Sequence, residues 1–278
     1  MSEPEPLRVR KIWSDPAVLF VRTLSSTSDT LARWVSEGRV PPRATLLCGF
    51  QTGGRGRPGH RWQSRRGDLT MSRWILSEES PPAGMALLPL AVAAACLQTL
   101  DDLDLPGTFW KYPNDLYALL SPEKPEGDVG KLGGLLVEPV RTIGGKPKGW
   151  IAGIGINIGT IEPESSGRDF SPASLSGLAG EGRPLPGPLS LARHLSQRIS
   201  LILDNGSPAE ILTRLEDRLL WKNRWVVYTL HGKTYIGKIE GLGGDGALLV
   251  TGDDGRSCRL GPGVRNLRPV SVGEGHHG

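Results

Sequence analysis

The residue types that could do chemistry fall into four short clusters. The first is Gln51-Thr52-Gly53-Gly54-Arg55-Gly56-Arg57-Pro58-Gly59-His60-Arg61-Trp62. Its glycines let backbone N–H groups come close to a ligand, and its arginines add planar forks suited to phosphate or carboxylate. Trp62 offers a ring that could stack on a heteroaromatic base; the bland alternative is an exposed, solvated basic loop. The second is Trp110-Lys111-Tyr112-Pro113-Asn114-Asp115. Pro113 biases Tyr112 toward extended backbone, so an apolar strand ends in a Pro-Asn-Asp turn showing a cation, an amide and a carboxylate. Lys111 suits phosphate and Asp115 suits Mg²⁺, although such a turn can be ordinary structure.

The third cluster is Lys131-Leu132-Gly133-Gly134-Leu135-Leu136-Val137-Glu138. On a regular strand, Lys131 shares a face with Gly133, Leu135 and Val137. A lysine opening an apolar strand beside two glycines leaves room for a ligand, or it snorkels at a sheet edge. The fourth is Gly149-Trp150-Ile151-Ala152-Gly153-Ile154-Gly155-Ile156-Asn157-Ile158. Period two puts Ala152, Ile154, Ile156 and Ile158 on an apolar face. Ile151, Gly153, Gly155 and Asn157 form the other, nearly bare face. A strand interior without side chains marks either close ligand approach or a bulge.

Two pattern matches in the first cluster mislead. Gly54-x-Gly56-x-x-Gly59 fits the dinucleotide fingerprint, with Glu78 and Glu79 about 20 residues on. However, residues 60–68 lack helical periodicity and Pro58 sits inside the motif. Arg55-Gly56-Arg57-Pro58 matches a minor-groove hook, but it is a single copy between apolar strands.

These clusters need elements to hold them. Strands are predicted at 18–21, 45–50, 68–76, 108–111, 116–120, 132–137 and 150–158. Helices are predicted at 29–36 (capped by Thr27 and stopped by Gly38), 85–103, 189–203 and 208–221. After 221 the pattern changes to four short strands with Gly-containing turns, a small all-β barrel of about 50 residues. Residues 121–130 and 159–187 read as Pro/Gly/Ser-rich loops. The division expected is a tail at 1–15, a catalytic unit at 16–222, a β module at 223–272 and a tail at 273–278.

The chain has 278 residues, with 38 glycines and 23 prolines, and a net charge of +4. Glycine is roughly twice its usual ~7% share, but no Gly-X-Y period indicates collagen. The mild positive charge suits an anionic ligand and does not by itself exclude nucleic acid. Three widely spaced cysteines without CxxC disfavour a disulfide framework or zinc site. No apolar N-terminal core suggests a signal peptide and no stretch is long enough to span a bilayer. A cytoplasmic protein is expected.

In this order the four clusters resemble the catalytic domain of biotin–protein ligases, with their GRGRxGRxW loop, KWPND turn, K-x-GG-[IL]-L-[VI]-E strand and GIGIN strand. Ser26-Thr27-Ser28 resembles the Ser-Thr-Asn before that family's first helix. The match covers roughly 18–160, and the C-terminal β module resembles the family's SH3-like domain. Tyr112 stands for Trp, Ser28 for Asn and His60 for Arg, and the segment from Asp115 to Lys131 is longer than typical.

The resemblance implies an α+β fold: a mixed sheet flanked by helices (class II synthetase-like, biotin–lipoate ligase fold) with a small C-terminal SH3-like β-barrel. It implies ATP-dependent attachment of biotin to a lysine of a biotin carboxyl carrier protein through biotinoyl-5′-AMP, with ATP and Mg²⁺ as cofactors. Ser26, Thr27, Ser28, Gln51, Gly54, Arg55, Gly133 and Gly134 would bind biotin. Arg55, Arg57, Trp62, Lys111, Asn114 and Asn157 would bind ATP. Lys131, Arg57, Lys111 and Asp115 would be catalytic, with Asp115 facing the metal. About 17 residues precede the core, too few for the family's DNA-binding domain, so DNA is not an expected partner, nor is a membrane; a homodimer is compatible. A lipoate ligase of the same fold and a non-catalytic nucleic-acid binder are the alternatives.

Overall fold

The computed structural model describes residues 9–14, 17–79, 87–105, 107–120, 128–161, 171–180 and 182–270. The expected tails at 1–8 and 273–278, the first residues of the helix expected at 85–103, and segments 121–127 and 162–170 lie outside them.

Eight strands form one mixed sheet: β1 (Arg10–Ser14), β2 (Ala17–Val21), β3 (Thr45–Cys48), β4 (Leu69–Ile75), β5 (Thr108–Lys111), β6 (Asp115–Leu119), β7 (Val129–Arg141) and β8 (Pro147–Ile156). Their order is β1-β2-β3-β4-β8-β7-β6-β5. Helix α1 (Thr27–Ser36) is the crossover that makes β2 and β3 parallel; the other neighbours run antiparallel.

The helices divide between the two faces. On one face α1 buries Leu31, Trp34 and Val35 against Leu19, Leu46, Trp74 and Ile151. On the other lie α2 (Leu88–Asp101), α4 (Pro188–Asn205) and α5 (Pro208–Asp217). Helix α2 is apolar all round because the sheet packs on one side of it and α4 and α5 on the other. Pro89 sits in its first turn, where a missing N–H costs nothing.

A second, antiparallel sheet runs β12-β11-β10-β9-β13. It is built from β9 (Trp225–Leu230), β10 (Lys233–Leu242), β11 (Leu248–Gly252), β12 (Ser257–Leu260) and β13 (Arg265–Pro269). Its apolar residues continue the α2-side core. Tyr112 anchors it to the first sheet by donating to Leu260 O at 2.9 Å. Residues 218–220 cover the β5 edge, with Trp110 N donating to Arg218 O and Leu220 N to Trp110 O.

The structure corrects several expectations. Strand β1 pairs with β2 where a loose tail was expected. A short helix, α3 (Leu175–Ala179), interrupts the 159–187 loop, capped by Ser174 Oγ accepting from Gly177 N. The second sheet has a fifth strand, β13, hidden in the sequence by Pro269, a left-handed Asn266 (φ 51°) and a bulge against β9. The cap of α1 is Ser26, whose Oγ accepts from Asp29 N at 3.3 Å. Thr27 is already the first helical residue, one position past the cap, and its hydroxyl donates to Gln51 Oε1.

Candidate active site

The site lies on the α1 face of the sheet, where β8 carries almost no side chains. Cross-strand pairing lines up two rows. One runs Ser72, Gly153, Leu136; the other runs Thr70, Gly155, Gly134, Asp115. The glycines leave a trough whose walls come from elsewhere. A Cβ at Gly153 would lie 2.5 Å from Ser28 Oγ, and one at Gly155 would lie 2.4 Å from the Trp62 ring. The predicted bare face of β8 is therefore real, and α1 and the loop at 53–61 fill its margins. The trough is a cavity of about 460 Å³, within the usual range for small-molecule sites.

At its inner end the groups are neutral and buried. Thr27 N and Thr27 Oγ1 both donate to Gln51 Oε1, at 2.7 and 3.0 Å. Ser72 Oγ donates to Thr27 Oγ1 at 2.8 Å, and Ser28 Oγ lies 3.0 Å from Ser72 Oγ. Gln51 N donates to Ser64 Oγ. Gly54 is obligatory here, because a Cβ would meet the Trp62 carbonyl at 2.6 Å.

At its mouth the groups are charged. Lys131 Nζ pairs with Asp115 Oδ1 at 2.7 Å. Lys111 Nζ lies over the rings of Tyr117 (5.2 Å) and Trp221 (5.4 Å), a favourable cation–π site. Arg55 bridges Asp29 on α1 and Glu138 on β7. Burial alone would lower its pKa, but the two carboxylates outweigh this and raise it. Arg57 donates to the carbonyls of Pro262 (2.6 Å) and Val264 (3.0 Å) in the turn before β13. Desolvation, then the neighbouring Arg265, hold its pKa below the ordinary value. Asn114 Nδ2 donates to Leu135 O.

The sequence-predicted polar residues all line the cavity, whereas Gly54 and Gly133 are not among its lining residues. Asn157 lines it, but its amide donates to Lys131 O (3.2 Å) and Ala173 O (2.8 Å), tying β7 to the segment before α3. Trp62 lies with one face against Gly155, half-buried. Lys131 does not share a face with Gly133, Leu135 and Val137. A bulge in β7 pairs Leu116 with Gly133 but Tyr117 with Lys131, and the extra residue turns Lys131 onto the face of Gly134 and Asp115. Gly133 instead abuts the carbonyl of Gly155, 2.5 Å from where its Cβ would be.

Ser72 and Glu138, which hold the cavity residues Ser28 and Arg55 from behind, and Arg265, which lines the cavity, escaped the sequence reading. Ser72 is one small residue within a buried strand, and nothing local marks it. Glu138 closed a motif but was given no partner. Arg265, which donates to Pro58 O at 3.4 Å, comes from the second sheet.

The profile of the Biotin/lipoate A/B protein ligase family matches residues 20–157, which carry all four clusters. Residues 20–157 belong to that family. It is 28% identical over 219 residues to the bifunctional ligase/repressor BirA of Escherichia coli strain K12; the alignment covers 78% of this chain and 64% of BirA. Among solved structures it resembles the biotin protein ligase of Aquifex aeolicus in complex with biotin and ATP. That match has a TM-score of 0.72 and 23% identity, over 91% of this chain and 99% of that one. It also resembles the biotin protein ligase of Leishmania major in complex with biotin, with TM-score 0.60 and 21% identity, over 87% and 96%. The expected α+β architecture, a mixed sheet flanked by helices with a small β unit after it, is that of these ligases.

Proposed function

We propose that the protein activates biotin with ATP to biotinoyl-5′-AMP and transfers the biotinoyl group to a lysine of a biotin carboxyl carrier protein. The observation that carries this is the division of one cavity into two ends. A neutral hydrogen-bonding end built on Gln51, Thr27 and Ser28 suits a polar, uncharged ring. A cationic end with Arg55, Arg57, Lys111 and Lys131 suits a carboxylate meeting a triphosphate.

In this reading Ser26, Thr27, Ser28 and Gln51 hold the ureido head, Arg55 and Gly134 line its pocket, and Gly54 and Gly133 shape it from behind. The carboxylate then lies toward Lys131, which neutralises it against the α-phosphate as an oxygen of biotin attacks phosphorus and pyrophosphate leaves. Arg55, Arg57 and Lys111 bind phosphate oxygens, while Trp62, Asn114 and Asn157 form the adenine side. In the second step the carrier lysine amine attacks the mixed anhydride and AMP departs. No bond to the enzyme forms, so positioning and charge stabilisation do the catalysis.

Asp115 is the carboxylate available for Mg²⁺. The described residues hold no cluster of three or more His, Cys, Asp or Glu, so Asp115, phosphate oxygens and water would hold the ion, as is usual for nucleotide-bound Mg²⁺. Mg²⁺ would supply neutralisation of phosphate charge. A cytoplasmic setting accords with the described residues, where no helix is long and apolar enough to cross a membrane.

A lipoate substrate is disfavoured because a dithiolane would offer Gln51 Nε2 no acceptor. A DNA-binding role for Arg55-Gly56-Arg57-Pro58 is disfavoured because both arginines line a concave cavity of about 460 Å³, of a size for a small molecule. The test is incubation with biotin, ATP-Mg²⁺ and an apo carrier domain, read by mass spectrometry. The reading predicts one biotinoyl increment that requires ATP and biotin together. An unmodified carrier, or a lipoyl increment instead, overturns it.

A further inference from the structure

We infer that Ser72, on β4, is a positioning residue that makes Ser28 a hydrogen-bond acceptor and thereby selects the polarity of the bound ring. The inference rests on the biotin reading above and adds a residue and a selectivity to it.

The proton directions follow from one fixed donor. The backbone N–H of Thr27 can only donate, so the Gln51 atom 2.7 Å from it is the carbonyl oxygen. Thr27 Oγ1 is 3.0 Å from that same oxygen and gives it its single proton. Oγ1 is then an acceptor only, so Ser72 Oγ, 2.8 Å away, must donate to it. With that proton committed, the 3.0 Å contact between Ser28 and Ser72 has one solution: Ser28 donates. The chain runs Ser28, Ser72, Thr27, Gln51 without reversal, and bonds aligned head to tail polarise one another. Ser72 is 0% and Thr27 3% exposed, so water has little access to the middle of the chain.

Both ends of this relay line the cavity. At one end Gln51 Oε1 is saturated and Nε2, which donates no hydrogen bond among the described residues, is left as a donor. At the other end Ser28 has spent its proton inward and turns only lone pairs to the ligand. A donor beside an acceptor is the complement of a cyclic urea, whose carbonyl accepts and whose ring N–H donates. The Ser28 that departs from the family's Asn is thus matched to a buried serine on the neighbouring strand. Gly153 makes the pairing sterically feasible, since any Cβ there would strike Ser28 Oγ.

The prediction concerns selectivity. If a ring N–H of biotin is replaced by oxygen, giving a cyclic carbamate, its lone pairs face those of Ser28. Wild type should bind the disfavoured one of the two isomeric carbamates at least ~10²-fold more weakly than biotin, as expected when buried polar groups are mismatched. In Ser72→Ala the Ser28 proton is released and can turn to the ring oxygen. The ratio should fall to ~10-fold or less, while kcat and the KM for ATP stay within about twofold. Ser28→Ala, a half-buried position tolerant of truncation, should lower the ratio in the same way.

The experiment measures calorimetric affinities for biotin and both carbamates, alongside carrier transfer, for wild type and both variants. A collapsed ratio in the two variants supports the relay. Equal loss for biotin and carbamates in both variants makes the hydroxyls mere packing and overturns it. Absence of transfer by wild type, with the affinity ratio intact, overturns the ligase reading and leaves the relay standing.

Discussion

The two ends of the cavity hold their side chains in opposite ways. At the inner end, Gln51, Thr27, Ser72 and Ser28 are fixed by hydrogen bonds whose direction admits no alternative. At the mouth, Lys131 is held by Asp115, Arg55 by Asp29 and Glu138, and Arg57 by backbone carbonyls. An anionic substrate must take those cations from their present partners. Exchange of partners is cheap where water screens the charges, and the side chains of Arg55 and Lys131 are each 40% exposed. On the proposed function this is a division of labour: the buried neutral end would decide which ring enters, and the half-exposed charged end would rearrange around what the ring carries.

The comparison breaks most readily at Lys131. Lys131→Ala should slow adenylate formation ~10²-fold or more, the scale of losing one positioned electrostatic group. It should leave calorimetric affinity for biotin within about threefold. An equal loss in affinity would place Lys131 in ring recognition and dissolve the distinction. Gln51→Ala is the converse. It should raise the KM for biotin ~10–100-fold and leave the KM for ATP nearly unchanged, because an unpaired ureido group costs about 1–3 kcal/mol.

Arg57 joins the mouth to the second sheet. Arg57→Ala should raise the KM for ATP ~10-fold by removing one phosphate partner. It should also lower Tm by about 2–4 °C, since two bonds to the turn before β13 disappear. A kinetic effect without a thermal one would show that those bonds do not hold the second sheet in place.

The smallest effect belongs to Tyr112, which lines the cavity but has no part in the chemistry in this account. Burial pushes its phenol up to about 12. The raised value means that its contribution to stability is whole below about pH 10, the unfolded value, and is lost as pH rises through the folded one. Tyr112→Phe should cost about 1 kcal/mol at neutral pH by deleting the bond to Leu260 O. Its stability should fall less steeply than wild type above pH 10. Identical alkaline limbs would deny Tyr112 that role.

Much of this was legible in the sequence. Period two alone placed Gly153 and Gly155 on the bare face, and the clusters of Arg, Lys, Asp and Gly meet at one cavity. The same periodicity failed at Lys131, because a bulge is a property of two strands in register and leaves no mark on one. Ser72 was silent for a related reason: its importance comes from lying across from Gly153 and beneath α1, a contact 45 residues long in sequence. Strand β1 and strand β13 were missed because each is short, rich in charge and made strand-like by its neighbour.

The most direct test needs no carrier. The protein is mixed with ATP-Mg²⁺ and either biotin or lipoate, and pyrophosphate release and protein-bound acyl adenylate are measured over the first turnover. The account predicts a burst of about one pyrophosphate per active site with biotin, abolished in Lys131→Ala, and an adenylate that an added apo carrier consumes with release of AMP. A burst with lipoate in place of biotin, or none with either, would contradict it.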